Sequence, residues 1–291
     1  STPSSGSPDS TAVLYVADGK QLQTTLGRIH VVASGLTRKV YTGTGSSIVF
    51  NVNLSSLSDA LLVATAGTTI EKHGPGYVYT GNNYVTARTW GAGSSLVIVD
   101  GEMRVNGNSK NYPPFGAVSA ATLVFDPKGV SGNQPKLGFV SASGAFVGTT
   151  RTVPNNITIN ERGTVDVESG FTATFSGTAS GSGTLIKSNA GTLTWNQNLS
   201  YPLSLTGGTL STTGNITSAT ISGSGTLAMS SGSLGVSSSI TASSHTGAIS
   251  GTCSISGGTS TFASNFSGTI SNITGTAITL SGASTGAITA I

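Results

Sequence analysis

Formal charge is scarce in this sequence. Only 8% of the 291 residues are Asp, Glu, Lys or Arg, whereas a soluble globular protein carries about a quarter. All ten acidic residues lie at or before Glu168, and Lys187 is the only formally charged side chain after it. The chain is nevertheless 36% hydrophobic with a net charge of only +3, and disorder requires few apolar residues together with high net charge. We therefore expect a folded protein that differs from a typical cytosolic enzyme.

Several other absences exclude whole classes of function. Cys253 is the only cysteine, so no disulfide forms within the chain. No apolar run approaches the roughly twenty residues of a membrane helix, and Lys and Arg never form a basic stripe interleaved with aromatics. The segments after Glu168 contain no acid for a calcium-binding β-roll, and no histidine has a His or Cys partner at ligand spacing. We expect no metal, no cofactor, no nucleic-acid partner and no membrane span.

The composition divides the chain into three parts. Residues 1–10 are rich in Ser and Pro and are predicted to be a flexible leader at a processed N-terminus. Residues 11–150 contain most of the aromatics and charges, and their short β-branched runs between Gly, Asn and Pro predict a β-rich cap or binding module. Its fold is open between a β-sandwich-like arrangement and an irregular solenoid cap. Residues 151–291 are rich in Gly, Ser and Thr.

A short unit recurs in the third part, with Gly, then a small polar residue, then an aliphatic one. Strands this short bury their aliphatic side chains only against an equivalent strand stacked above or below. Repetition is then the source of stability, and an all-β solenoid is the predicted fold. The clearest units begin at Gly163, Gly183, Gly191, Gly208 and Gly225.

One part of the repeat region resembles the passenger domains of bacterial autotransporters. The resemblance runs from Asn155 to Trp195 and is best in Gly181-Ser-Gly-Thr-Leu-Ile-Lys-Ser-Asn-Ala-Gly-Thr-Leu-Thr-Trp195. Asn189 stands where the family usually has Gly, and Trp195 stands where it usually has Leu. Asn tolerates a left-handed backbone, so the first difference is mild. The resemblance implies a right-handed parallel β-helix of the surface-adhesin type, and it implies no catalytic residues.

The strongest enzymatic candidate is the acidic group Glu161, Asp166 and Glu168. Some β-helices cleave glycans with paired carboxylates on an exposed face, and Asp166 and Glu168 are two strand positions apart. However, alternation in this segment directs Val165 and Val167 inward and the carboxylates to water. We favour solvated surface residues and predict that the protein is not an enzyme.

Two further patterns involve hydroxyl and amide side chains. The pairs Thr172-x-Thr174 and Thr192-x-Thr194 resemble the flat threonine arrays of ice-binding solenoids, but such pairs look sporadic in the sequence, which disfavours ice binding. Asn-x-Ser/Thr sequons mark possible glycosylation sites, although chance sequons are expected in so Asn- and Thr-rich a chain. The six sequons begin at Asn53, Asn156, Asn198, Asn215, Asn265 and Asn272.

The last expectation concerns assembly. The final strands look apolar and uncapped, which invites another chain to add to an open strand edge, either head-to-tail or through an N-terminal strand. The leading hypothesis is a secreted, self-assembling subunit of an extracellular filament or cell-surface fibre with a cohesive or adhesive role. The alternatives are a virion fibre or tailspike that binds or cleaves a host glycan, and an adhesin that binds a cell-surface glycan. The predicted assembly residues are Ala12, Val13, Leu14, Tyr15, Val16, Ile278, Leu280, Ile288 and Ile291.

Overall fold

Every regular element in the described part of the chain is a β-strand. A computed structural model describes residues 12–24, 29–31, 36–50, 62–64, 66–80, 91–106, 121–140, 150–217, 220–223, 225–229, 234–235, 239–245, 249–256, 259–262, 269–274, 277–280 and 287–288. In these ranges there is no helix long and apolar enough to cross a membrane.

The strands form three large sheets and two small ones, and all paired strands run parallel. The seven-stranded sheet contains, in spatial order, β1 (Ala12–Val16), β4 (Thr37–Thr42), β7 (Thr69–His73), β9 (Ser95–Ile98), β11 (Thr122–Phe125), β14 (Asn156–Ile159) and β17 (Ala179–Gly181). The ten-stranded sheet contains β2 (Gln21–Thr24), β5 (Ser47–Phe50), β8 (Tyr77–Thr80), β10 (Glu102–Asn106), β12 (Lys136–Val140), β15 (Arg162–Val167), β18 (Thr184–Ser188), β20 (Leu203–Leu205), β22 (Thr220–Gly223) and β25 (Ser239–His245).

The nine-stranded sheet is made almost entirely of strands from the repeat region. It contains β13 (Thr150–Val153), β16 (Thr172–Phe175), β19 (Thr192–Trp195), β21 (Thr209–Thr212), β23 (Thr226–Met229), β26 (Ile249–Ser256), β28 (Thr269–Thr274) and β30 (Ala287–Ile288), with β24 (Leu234–Gly235) beside β26. Two separate pairs are β3 (Ile29–Val31) with β6 (Leu62–Ala64), and β27 (Thr259–Phe262) with β29 (Ala277–Leu280).

The order of strands along the chain produces a parallel β-solenoid. Strands β14, β15 and β16 belong to three different sheets, and β17 then returns to lie beside β14. Each circuit therefore adds one strand to each sheet, so that short strands bury their side chains against the equivalent strands of the next coil. Because connections between parallel strands are right-handed in nearly all proteins, we expect right-handed winding.

The N-terminal region belongs to the same solenoid but has longer coils. The circuit from Glu102 to its strand partner Lys136 takes twice as much chain as the circuit from Thr192 to its partner Thr209. A β-sandwich consists of antiparallel sheets, so the sandwich alternative is wrong for the described N-terminal residues and the irregular-solenoid alternative holds. The division at residue 150 stays a prediction from composition, and the ten-stranded sheet contains strands from both sides of it.

Alternating side chains fill the interior, as the sequence predicts. Val165 and Val167 are fully buried, while Asp166 between them lies on the outer face. Asn189 adopts a left-handed backbone with φ 64°, a conformation that Asn tolerates better than most residues.

Aromatic side chains from successive coils form a stack inside the solenoid. The ring centroids of Phe139 and Phe175 are 6.1 Å apart, those of Phe175 and Trp195 are 5.0 Å apart and edge-to-face, and those of Trp195 and Tyr201 are 6.1 Å apart. Tyr201 Oη donates to the carbonyl oxygen of Ser180 at 2.5 Å, so its polar end is satisfied. Trp195, which stands where the resembled family has Leu, is fully buried in this stack.

Two lysines are buried inside the solenoid, and backbone carbonyl oxygens surround both ammonium groups. Lys72 Nζ donates to the carbonyls of His73 (3.3 Å), Gly74 (2.5 Å) and Asp100 (2.7 Å). The side chain is only 1% exposed. Burial lowers the pKa of Lys72 to about 7, against the opposing effect of the negative charges of Asp100 and Glu102.

Lys187 repeats this arrangement in the second half. Its Nζ donates to the carbonyls of Ser188 (2.7 Å), Asn189 (2.8 Å) and Gly207 (3.2 Å), so it joins its own turn to the next coil. Burial lowers the pKa of Lys187 to about 8, and the negative charge of Asp166 opposes this. Because Lys187 is fully buried, the described residues after Glu168 expose no formally charged side chain.

Candidate functional site

The outer face of the ten-stranded sheet carries the main concentration of charge. Register places Tyr77, Glu102, Lys136 and Thr164 side by side on consecutive strands β8, β10, β12 and β15. Two positions further along the same strands, a second row contains Tyr79, Arg104, Gly138 and Asp166. Because side chains two apart on a strand share a face, these eight positions form one continuous surface.

Ion pairs join the charged side chains of this surface into one network. Glu102 Oε2 lies 2.8 Å from Arg104 Nε and 3.5 Å from Lys136 Nζ. Lys136 Nζ also lies 3.3 Å from Asp166 Oδ2, so one ammonium group bridges two carboxylates from different coils. The Arg104 guanidinium stacks on the Tyr77 ring, 3.8 Å from its centroid.

Gly138 creates the space in which the Glu102 carboxylate lies. A Cβ atom at this position would overlap Glu102 Oε1. The Glu102 side chain therefore packs over bare backbone and is only 7% exposed. A buried carboxylate is stable only when it is paired, and Arg104 and Lys136 supply that pairing.

A groove of about 580 Å³ runs along this surface. One wall of the groove is held by a hydrogen bond between coils, in which Asp100 Oδ1 accepts from the backbone N–H of Gln134 at 2.9 Å. Asp166 Oδ1 is buried and has no hydrogen-bond partner in the described part of the chain. An unsatisfied carboxylate oxygen is a strong acceptor, but this one lies beneath the groove surface, so a ligand hydroxyl reaches it only if the side chains that cover it move. The polar side chains that line it are those of Asp100, Glu102, Gln134, Lys136, Thr164, Asp166 and Ser188.

The structure separates Glu161 from the other two acids that the sequence suggested as an enzymatic group. Asp166 lies in the groove, whereas Glu161 precedes β15 and accepts from the backbone N–H of Gly129 at 2.6 Å. Five strand positions place Glu161 and Asp166 roughly 16 Å apart, beyond the spacing of about 5–10 Å used by paired glycosidase carboxylates. Glu168 follows the last residue of β15.

The partners that Asp166 does have were missed in the sequence. Lys136 lies one coil before it and Glu102 lies two coils before it, and the coil that begins at Glu102 is longer than the coil that begins at Lys136. Unequal coils leave no fixed spacing to reveal such neighbours. The only local signal is Glu102-x-Arg104, where opposite charges at alternate positions share one strand face.

A second charged cluster lies on the seven-stranded sheet. Glu71 Oε2 is 2.8 Å from His73 Nε2, and Lys128 Nζ is 3.4 Å from Glu71 Oε1 and 3.2 Å from Asp126 Oδ2. The hydrogen bond with His73 lowers the pKa of Glu71, and Lys128 adds to this effect. The His73 ring stacks on Tyr41 at 4.8 Å. Among the described residues no group of three or more His, Cys, Asp and Glu has metal-binding geometry.

Two of the described sequon asparagines accept hydrogen bonds from the next coil through their side chains. Asn156 Oδ1 accepts from the backbone N–H of Thr178 at 3.1 Å, and Asn198 Oδ1 accepts from that of Asn215 at 2.9 Å. Both contacts join one coil to the next, which explains part of the asparagine content. Asn272 lies in β28. Glycosylation at these positions stays a prediction.

The predicted assembly residues lie in strands near both limits of the solenoid. Residues Ala12–Val16 form β1, which pairs with β4 and, within the described residues, has no strand on its other side. Ile278 and Leu280 lie in β29, and Ile288 lies in β30. The predicted positions outside the described residues are Ile291, Asn53 and Asn265.

Comparison with known proteins adds no relative. No family model, no curated protein and no solved structure matches this chain. The autotransporter resemblance therefore stays a prediction that rests on the residues between Asn155 and Trp195.

Proposed function

We propose that this protein is a structural subunit of an extracellular filament or cell-surface fibre, with a cohesive or adhesive role. The observation that supports this proposal is the long stack of parallel strands. The ten-stranded sheet extends from Gln21 to His245 with no antiparallel pairing among its described strands. In such a stack each coil is stabilised by its neighbours, so another chain can continue it through the same backbone hydrogen bonds. Secretion to the cell surface belongs to the same proposal.

Strand addition at β1 is the proposed mode of assembly. β1 is hydrogen-bonded to β4 on one side only within the described residues, and Tyr15 on its outer face is 38% exposed. A strand edge with free N–H and C=O groups is a template for a strand of a second chain. A positive charge on such an edge opposes pairing because it would have to be desolvated between the two chains.

We expect electron microscopy of the purified chain at high concentration to show filaments, and Tyr15→Lys to shorten or abolish them. Val130→Lys is the matched control, because Val130 is a 51% exposed turn residue away from the strand edges. Circular dichroism should show that both variants fold. Strictly monomeric wild-type particles, or equal loss of filaments in both variants, would contradict strand addition at β1.

The groove supports a second candidate, in which the protein is an adhesin or virion fibre that binds a host glycan. The observation that favours it is the groove lined by Asp166 and Lys136, whose carboxylate and ammonium groups are an acceptor and a donor for sugar hydroxyls. The proposed activity is binding, because Arg104 and Lys136 together already balance the charges of the Glu102 and Asp166 carboxylates.

We expect the intact chain to bind a subset of glycans on an array and Asp166→Asn to lose that binding, because the amide no longer pairs with Lys136 and loses one acceptor oxygen. Asp18→Asn is the matched control at an exposed turn. No binding by the wild type, or equal loss in Asp18→Asn, would reject this candidate. Oligosaccharide release that Asp166→Asn abolishes would replace binding with cleavage.

A further inference from the structure

The outer face of the nine-stranded sheet carries a regular array of hydroxyl side chains, which we name the threonine face. It is formed by the two outward positions on each of four consecutive strands, β13, β16, β19 and β21, and the register continues both columns onto β23. Register aligns these positions in two columns. The first column is Thr150, Thr172, Thr192, Thr209 and Thr226, and the second is Thr152, Thr174, Thr194, Ser211 and Ala228.

The sequence hides this array because the coils differ in length. In the first column, the step from Thr150 to Thr172 is longer than the step from Thr172 to Thr192, and both are longer than the step from Thr192 to Thr209. No constant period connects the pairs, so the interpretation that they are sporadic is wrong. The structure supplies what the sequence lacked, which is a hydroxyl pair on four successive coils and a single threonine on the fifth.

The array is regular in both directions. None of the four strand pairings contains a register shift, so neighbours within a column are about 4.8 Å apart and the two columns are about 6.6 Å apart. Threonine is stiff at χ1 because its Cβ is branched. Methyl and hydroxyl groups therefore repeat with little freedom over four coils, a length of about 14 Å.

Three hydroxyl groups near the centre of this face are available to an external partner. Within the described part of the chain, the hydroxyls of Thr174, Thr192 and Thr194 have no hydrogen-bond partner, and their side chains are partly exposed. The seven-stranded sheet differs, because there Thr158 Oγ1 and Ser180 Oγ pair with each other at 2.8 Å across two coils. A ladder that pairs internally is satisfied, whereas the threonine face is not.

The chemistry of the face restricts what it can bind. Its ten positions include no charged and no aromatic residue, so it has neither the charges that attract ions nor the rings on which sugars and bases stack. The face is also too polar to bind an apolar surface of another protein. A lattice of alternating hydroxyl and methyl groups fits a second lattice of hydrogen-bonding groups, and water ordered as in ice is such a lattice.

We propose that the threonine face binds ice. Water molecules anchored by the hydroxyls and held around the methyls repeat at the spacings of the protein array, which are close to the oxygen repeats on ice crystal faces. Since the array is rigid before it binds, little conformational entropy is lost when ice adsorbs. The proposal is independent of filament formation and of the groove, because it uses a different sheet.

The test measures ice growth with the purified full chain. We expect the wild type to inhibit ice recrystallisation and to facet single ice crystals, and Thr192→Lys to lose both effects because a hydrated ammonium at the centre of the array disrupts the lattice. Thr184→Lys is the matched control, since Thr184 is a partly exposed threonine on the ten-stranded sheet. Thermal unfolding should show that both variants keep the wild-type fold.

A second variant separates hydroxyl chemistry from disrupted shape. Thr194→Val keeps the branched shape and the β-propensity, and we expect it to weaken the effect on ice less than Thr192→Lys does. Absence of ice activity in the wild type, or equal loss in Thr184→Lys, overturns the proposal. Adsorption to microcrystalline cellulose without any effect on ice also overturns it, because the complementary lattice is then a polysaccharide surface.

Discussion

Replacing Trp195 with alanine is expected to lower the free energy of unfolding by about 3–5 kcal/mol, the usual range for a fully buried aromatic. Trp195 is 0% exposed and contacts Phe175 edge-to-face at 5.0 Å and Tyr201 at 6.1 Å. Its removal leaves a cavity in the middle of the aromatic stack, where strands of neighbouring coils fix the backbone and prevent collapse. Urea denaturation followed by circular dichroism measures the loss.

The matched control is Val130→Ala, at a turn residue that is 51% exposed. Its free energy of unfolding should stay within about 0.5 kcal/mol of the wild type. Trp195→Phe should retain part of the lost stability because it keeps an aromatic ring against Phe175. A loss below about 1 kcal/mol in Trp195→Ala would mean that the stack contributes little to the fold.

Replacing Lys187 with methionine is expected to destabilise the solenoid by about 2–4 kcal/mol near neutral pH, because buried acceptors lose their donor. The carbonyls of Ser188, Asn189 and Gly207 are those acceptors, and each one left unpaired costs about 1–3 kcal/mol. Removal of a buried charge offsets part of this loss. Thermal and urea unfolding measure the change, and Lys20→Met, at an exposed turn, is the control with little expected effect.

The same variant gives a pH test with a defined sign. The folded-state pKa of Lys187, about 8, lies below its usual value of 10.5. Between these values the unfolded chain binds more protons than the folded one, so the Lys187 contribution makes the folded state more stable as pH rises. Lys187→Met lacks this contribution, and its deficit relative to wild type should therefore be larger near pH 10 than near pH 7. A deficit that shrinks at high pH would contradict the lowered pKa.

The strand pattern could be predicted from residues alone wherever alternation is strict. Val165 and Val167 point inward and Asp166 outward because successive side chains of a strand face opposite sides. Asn189 has a φ of 64°, and its residue type is one that tolerates this left-handed backbone. These features depend on a few consecutive residues, so local chemistry is enough to fix them.

The fold of the N-terminal region is harder to predict from the sequence because its coils are long and unequal. Its short strands predict β-structure, but whether neighbours run parallel or antiparallel depends on long connections such as the one between Glu102 and Lys136. The charged groove is hard to predict from the sequence for the same reason. Glu102, Lys136 and Asp166 come from three coils, and nothing in the sequence fixes which residues lie beside one another until the strand register is known.

The buried lysine shows the same division between sequence and structure. Lys187 is visible in the sequence as the only charge after Glu168, but its role as an internal link between coils depends on where the carbonyl of Gly207 lies. A lysine is usually on the surface. Only three convergent carbonyl oxygens, which exist once the coil is closed, make the interior position favourable.

The sequence by itself determined the class of structure, an all-β solenoid with little charge, because composition and strand alternation are local properties. The tertiary structure alone decided which residues meet across coils. It aligned unequally spaced threonines, from Thr150 to Thr226, in one column of the strand register, and it brought Lys136 between two carboxylates. The physical reason is that backbone hydrogen bonds between parallel strands set the register, while the loops between them absorb any difference in length.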